Sequence, residues 1–455
     1  MDHSILLIPM VVFLGTFFLL AFSVPRVAVL FMIPIFGFPI DVMFLQREIA
    51  GTIQSILLSG SIFLSDLSLI VLLTGVLVRV IVHKIRFIGL PLSRLLVAYV
   101  GIAILSVIIN SGRIGVIDTW VGLFYVLRLV VTFLPYYIIL FIRPDGKFLQ
   151  RSLILYLLST GIVALHSLIT GSDLSGSSWY TFNTIGFFGS RIGLGIYLTS
   201  GTAIAFSLLL NRRRFSKVGY FMVMLVFIVN LFSLVFTHKR AVLLMILSSL
   251  GWVLFKQFRR RLSTQLFGLL IIMIFVLGSS IAGGFFDRLL SLDRWEVTGG
   301  LSRLGTGLPN YAYTLASWNV DLSIIARVIY WEEAIRAALV NPFGVGFFQM
   351  IRSNYGLPHN QFLQVWAEMG VIGLWVFLIL CKRVFNTCRH LCNLSNDHWV
   401  QALGYGVAAG FFGMLVAGIS EQTFHVFEAM GVQWLLIGLI AVRGKLIVEN
   451  QSPSA

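Results

Sequence analysis

The sequence predicts an all-α polytopic membrane protein with about 12–14 transmembrane helices and one large extramembrane loop. Three observations carry that prediction. Of 455 residues, 58% are hydrophobic and only 11% are charged, and the mean hydropathy is +0.94. A soluble domain carries about 25% charged residues and cannot hide this much apolar surface. Apolar runs approaching the roughly 20 residues that cross a bilayer recur along the whole chain. The net charge of +15 is gathered in short clusters between those runs. That placement sets membrane topology and does not indicate nucleic-acid binding. The chain reads as a single membrane domain over residues 1–455.

The first run, 4–22, lacks a basic leading region and a small-residue cleavage site, so it reads as a retained helix. Further segments fall near 27–41, 49–64, 66–83, 90–111, 119–142, 150–170, 191–210, 217–236, 240–256, 264–285, 361–381, 399–419 and 429–443. The second and third are short, and form either two crossings or one re-entrant element. Either even count puts both termini in the cytoplasm. Basic clusters at Arg79–Arg86, Arg143–Arg151, Arg212–Lys217, Lys256–Arg261, Lys382–Arg389 and Arg443–Lys445 then share the cytoplasmic side. Residues 112–118, 171–190, 237–240, 286–360 and 420–428 face the other way. Cys381, Cys388 and Cys392 sit at one cytoplasmic connection, where no disulfide is expected. Their spacing with His390 is too weak a pattern for a zinc site.

The 286–360 loop is far longer than an ordinary connection, which marks a functional element. Its charges balance, with six acids against six arginines. Inside it, 322–339 has helical periodicity, with Leu322, Ile325, Val328 or Ile329, Ile335 and Leu339 on one apolar side. Asp321 suits the N-cap and Pro342 the stop. Arg327 and Trp331, four residues apart, share a face. This helix reads as an amphipathic lid on the membrane surface. Gly344 and Gly346 permit a tight turn.

His359 opens the next apolar run at the lipid–water boundary. Free N–H groups at a helix start favour anions, and histidine as a residue type exchanges protons near neutral pH. Asn360 is a natural N-cap. Asn360, Gln364 and Glu368 follow at four-residue spacing as a polar stripe down a membrane helix. An acid at that depth is costly and is a functional candidate or the structural partner of a buried Arg. Gly370 and Gly373 suit close helix packing. On the same face, Thr237-His238-Lys239-Arg240 sets potential cations against the positive-inside trend, as a phosphate site or a solvated turn. Arg191, at the start of another span, is similar. The sequence has no acidic DxD pair for a metal-bound nucleotide sugar, no Walker loop, no Rossmann fingerprint and no serine elbow. No cofactor is expected.

Arg327-x3-Trp331, Asn341-Pro342-x-Gly344-x-Gly346 and His359-Asn360-x2-Leu363-Gln364-x3-Glu368-x-Gly370-x2-Gly373 together resemble the signature of the bacterial O-antigen ligase/polymerase superfamily. Lys239-Arg240 resembles that family's Ser-Arg motif, with His238-Lys239 in place of the small residue. The helix count and the late loop are similar over most of the chain. The resemblance implies a metal-independent, inverting membrane glycosyltransferase of C-type architecture in the bacterial inner membrane. Its donor would be an undecaprenyl-diphosphate-linked glycan, used on the periplasmic face. His359 would be the general base on the acceptor hydroxyl. Arg327 and Arg240 would hold the diphosphate, and Arg303 is a competing match for Arg327. Lys239, Arg191, Arg303, Asn360, Gln364, Glu368 and Trp331 would line the substrate site.

The number of segments and the loop length favour an O-antigen or exopolysaccharide polymerase over a ligase that transfers polymer to lipid A-core. A lipid-linked oligosaccharide flippase is the alternative of another class. It is disfavoured by charge concentrated at one face and by the absence of internal repeats. The expected partners are the lipid-linked glycan, a glycan or lipid A-core acceptor, membrane lipids and other envelope-assembly proteins, with no nucleic acid.

Overall fold

The computed structural model describes residues 4–37, 64–84, 89–170, 190–210, 216–237, 239–257, 322–350, 357–395 and 397–451. The expected span 264–285, nearly all of 49–64, the segment 286–321 with Arg303, and His238 lie outside them. Every regular element among the described residues is a helix. In chain order these are α1 (Ser4–Ser23), α2 (Pro25–Gly37), α3 (Leu64–His83), α4 (Pro91–Ile114), α5 (Val116–Ile142), α6 (Gly146–Thr170), α7 (Arg191–Leu209), α8 (Lys217–Phe236), α9 (Arg240–Gln257), α10 (Leu322–Val340), α11 (Gln361–Leu394), α12 (His398–Ala417) and α13 (Phe427–Gln451). Nine of the described helices are long and apolar enough to cross a membrane. The protein is an all-α, multi-pass membrane protein.

Local sequence explains the helix boundaries. Pro91 opens α4, where a missing N–H costs nothing. Gly115, with φ 85°, separates α4 from α5. Side chains of Ser190, Ser216 and Asp397 accept backbone N–H groups at the starts of α7, α8 and α12. Large apolar side chains such as Ile81, Val97, Leu105 and Ile162 are exposed on the outer helices. A lipid bilayer covers such a surface. By contrast, α7 is buried on every side from Ile192 to Leu208 and forms the centre of the bundle. Buried polar pairs knit the centre together. Asn230 donates to Thr160 (3.0 Å) and Ser200 to Gln433 (2.8 Å).

Basic residues gather at one end of the bundle. Arg26 pairs with Asp145 at 3.0 Å and also donates to the Arg143 carbonyl. Arg79 donates to the carbonyls of Phe22 and Ser23, and Lys445 to that of Gly89. This corrects one expectation. With both termini in the cytoplasm, a crossing over 4–22 puts the turn near residue 24 on the face opposite the basic clusters, yet it packs among them. The 20-residue α1, about 30 Å long at 1.5 Å per residue, ends in this turn and so starts at the far end. The start of α1 and the end of α13 therefore lie at opposite ends of the bundle.

Two helices differ in extent or facing from the sequence reading. Expected over 361–381, α11 continues to Leu394 and carries Cys381, Cys388 and Cys392 as buried residues inside the helix. On α10, Ile325 and Ile329 are buried but Ile335 and Leu339 are exposed. Its packing face is instead made by Ala334, Ala337 and Ala338, which meet Ala367 of α11. Small side chains let the two backbones approach closely, so size outweighs hydrophobicity in choosing that face.

Candidate functional site

At the end opposite the Arg26–Asp145 pair, three chain segments converge on one carboxylate. Glu421 lies in the connection between α12 and α13. Its Oε1 accepts from Lys239 Nζ at 2.8 Å and from Arg327 Nη2 at 3.5 Å, and its Oε2 lies 3.3 Å from His359 Nδ1. Lys239 ends the α8–α9 turn, Arg327 stands on α10, and His359 precedes α11. The Glu421 side chain is 7% exposed, whereas those of Lys239, Arg327 and His359 are 33%, 26% and 37% exposed. The anion is thus enclosed and the cations are reachable from outside. Burial alone pushes the Glu421 carboxyl up. Hydrogen bonds from His359 and Lys239, and the charges behind them, outweigh burial and hold it below the ordinary carboxylate value.

Backbone and side-chain bonds fix these loops against each other. Asn360 caps α11: its Oδ1 accepts from the N–H groups of Phe362 and Leu363, both at 3.0 Å, while its Nδ2 donates to the Ile419 carbonyl. The Gln361 N–H donates to the Gly418 carbonyl (2.7 Å), and Gln361 Oε1 accepts from the Phe424 N–H. Both flanks of Glu421 are therefore tied to the start of α11. His359 itself adopts φ 44°, a left-handed conformation that turns the chain into the helix.

The Asn341–Gly346 motif has a structural role that the sequence did not disclose. α11 is broken at Gly370, with φ 70° and ψ −173°. The break frees backbone groups, and the segment after α10 satisfies them. Val345 N–H donates to the Ala367 carbonyl (2.8 Å), Gly346 N–H to that of Glu368 (3.1 Å), and Val371 N–H to that of Pro342 (3.2 Å). Gly344 (φ 83°) and Gly370 lie so close to each other's strand of backbone that any Cβ would strike it. The same segment reaches between α4 and α5. Asn110 donates to the Gly344 carbonyl, the Phe347 N–H to Ser106 Oγ, and Gln349 to the Asp118 carbonyl. Residues 342–350 thus pin α10, and with it Arg327, to the helix that His359 precedes.

A second polar group lies deeper. Glu368 is fully buried; Gln364 donates to its Oε1 at 3.0 Å, and His425 Nε2 lies 3.6 Å from its Oε2. Gln361 bonds the other nitrogen of His425 at 3.1 Å. The partner of this buried acid is therefore a histidine, not the arginine considered from the sequence. His425 stacks on Phe347 and lines a small cavity walled by Tyr99, Phe377, Phe427 and Trp434.

The structure brings together His359, Arg327 and Lys239 of the sequence-predicted residues. Arg240 follows Lys239 directly and opens α9, half-buried. Arg191 opens α7 at the same end, where Gly195 packs on Val242. Trp331 stands one turn from Arg327, and its indole N–H is buried without a hydrogen-bond partner among the described residues, as is Gln422 Nε2 beside Glu421. Asn360 is engaged by the helix start, Gln364 donates to Glu368, and Glu368 lies against His425, so these three are internal and not open to a substrate. Glu421 is the candidate site residue that sequence reasoning missed.

A membrane bundle with an enclosed carboxylate gathering a lysine, an arginine and a histidine at one end defines a candidate anion-handling site of a membrane enzyme. Residues 225–378 match the family model described as O-antigen ligase, a segment that contains Lys239, Arg327 and His359. The chain is similar to two provisionally named polysaccharide ligases. One, from Rickettsia conorii, is 27% identical over 94 residues, 20% of this chain and 21% of that protein. The other, from Rickettsia bellii, is 27% identical over 94 residues, 20% of this chain and 22% of that protein. The alignments span about a fifth of the length of these curated relatives. The matched segment carries the mark of the O-antigen ligase superfamily, the one that the sequence motifs resemble.

Proposed function

We propose that the protein is a membrane glycan transferase of the O-antigen ligase/polymerase kind. It moves a glycan from an undecaprenyl-diphosphate-linked donor to an acceptor hydroxyl, on the periplasmic face of the bacterial inner membrane. The observation that carries this reading is the convergence of Lys239, Arg327 and His359 on Glu421 at the end of the bundle remote from the basic clusters. By the positive-inside trend, that remote end is periplasmic and the end of α13 cytoplasmic.

Each residue has a defined task. With His359 Nδ1–H donating to Glu421, Nε2 carries the lone pair and acts as general base. The acceptor oxygen attacks the anomeric carbon as its proton passes to Nε2. The bond from that carbon to the diphosphate oxygen breaks, and the diphosphate leaves with the electron pair. Lys239 and Arg327, with Arg240 beside them, stabilise the charge that develops on it. A single displacement of this kind inverts the anomeric centre. No acidic DxD pair is present, which supports transfer without a divalent metal; loss of transfer in EDTA, restored by Mg²⁺, counts against it.

The acceptor distinguishes ligase from polymerase. The ligase descriptions of the matched family and relatives support a ligase, whereas the long loop supports a polymerase. Deleting the gene in its host tests both. Polymer accumulating on the lipid carrier indicates a ligase, and single repeat units without laddering indicate a polymerase. For the site, binding of a lipid-diphosphate analogue is measured alongside glycan transfer. His359→Ala abolishes transfer and keeps binding, while Arg327→Ala and Arg240→Ala weaken both. Near wild-type transfer by His359→Ala refutes the assignment.

A further inference from the structure

Glu421 occupies the position that an incoming phosphate needs. Lys239 and Arg327 already share its Oε1, so a donor cannot engage them fully while that contact stands. The two contacts differ in quality. The lysine sits at 2.8 Å, but the arginine approaches one oxygen at 3.5 Å. That is longer than the roughly 2.7–2.9 Å of a tight charge-assisted bond, and it is one-pronged where guanidinium favours two. Arg327 is thus held near an anion that does not satisfy its fork. The indole N–H of Trp331, one turn along α10, and the Gln422 amide are buried donors with no acceptor among the described residues. The cluster holds more donors than one carboxylate can serve.

We propose that Glu421 is a resident counter-anion that the donor's diphosphate displaces from Lys239 and Arg327. The inference rests on the reading of this cluster as the diphosphate site. On displacement, Oε1 loses its two cations while Oε2 stays on His359 Nδ1. Donor binding then leaves more of the carboxylate's charge to the base. The cations are preformed and neutralised in the resting protein, and the base gains strength only once a donor is seated. Glu421 would be a positioning residue for His359 and a competitor for the donor at the same time.

The two roles separate in a binding experiment on the full-length protein in detergent. Inorganic pyrophosphate and a short isoprenyl diphosphate are titrated into wild type, Glu421→Asp and Glu421→Gln, and glycan transfer is followed in parallel. Removing the competing charge makes Glu421→Gln bind both compounds about tenfold more tightly, a factor typical of coupled binding, while transfer falls. Glu421→Asp, whose shorter side chain withdraws from the cations but keeps its charge, falls between the two in affinity. Were Glu421→Gln unable to fold, the Asp variant alone decides: affinity no higher than wild type overturns the exchange. Wild-type binding with equal or weaker binding by both variants overturns the exchange and leaves the diphosphate site standing. Tightening for the isoprenyl compound alone moves the effect to lipid seating and overturns it too. Absence of pyrophosphate binding in every form removes both the exchange and the site.

Discussion

Substituting Gly370 by alanine tests the joint between α10 and α11. At φ 70° and ψ −173° the backbone occupies a region used essentially by glycine alone, and a side chain there costs about 1–3 kcal/mol. The new methyl also meets backbone atoms of Phe343 at 2.7 and 2.8 Å and the Pro342 carbonyl oxygen. These are main-chain atoms that cannot rotate away. Moving them strains the bond from Val371 N–H to Pro342 and endangers its two neighbours, each contributing about 0.5–1.5 kcal/mol. With all three bonds lost the sum is roughly 2.5–7.5 kcal/mol. Gly101→Ala is the control: nothing lies within 4 Å of its added Cβ, and a helix-interior alanine is about 1 kcal/mol better than glycine. The assay is thermal unfolding of detergent-purified protein, with glycan transfer measured beside it. Gly370→Ala melts well below wild type and loses transfer, because Arg327 and His359 no longer meet at Glu421; Gly101→Ala melts at or above wild type. A Gly370→Ala protein as stable and active as wild type refutes the reasoning.

Three further predictions concern charge. The folded Glu421 carboxyl titrates below its ordinary value of 4.5, so its contribution to stability is fully present above that value and is lost as pH falls through the lower folded one. Melting midpoints measured from neutral pH into acid therefore drop for wild type in that window, and the drop is smaller in Glu421→Gln. Deeper in the bundle, Glu368→Ala leaves the buried Gln364 amide without its acceptor and costs about 1–3 kcal/mol, whereas Glu368→Gln keeps that bond; equal melting of the two variants excludes it as a stabilising element. For topology, a cysteine at exposed Val116, at the Glu421 end, reacts with an impermeant thiol reagent in intact spheroplasts, and one at Ser216 does not. The native cysteines are buried and give little background, so the reverse pattern overturns the periplasmic placement.

How much was legible in the sequence depends on how locally each feature is written. The helix α8, read as 217–236, is bounded by charge and capped by Ser216, all within one short window. Asn360 was readable as a cap for the same reason. The break at Gly370 was not: the apolar pattern of α11 runs on through it, and the groups that satisfy it come from residues 342–346, whose pairing leaves no periodic trace. The turn near residue 24 was misplaced because hydropathy marks where a span lies but not which end of the bundle each connection occupies. Glu421 lies 62 residues after His359, a separation at which no spacing rule operates. A different signal does bear on it. Lys239, Arg327 and His359 fall on a face where positive charge is otherwise scarce, and cations gathered together need an anion. After Asp397, Glu421 is the first acid along the chain, and it falls in the connection on that same face. Charge balance across a predicted face, where periodicity is silent, therefore points to the residue that assembles the site.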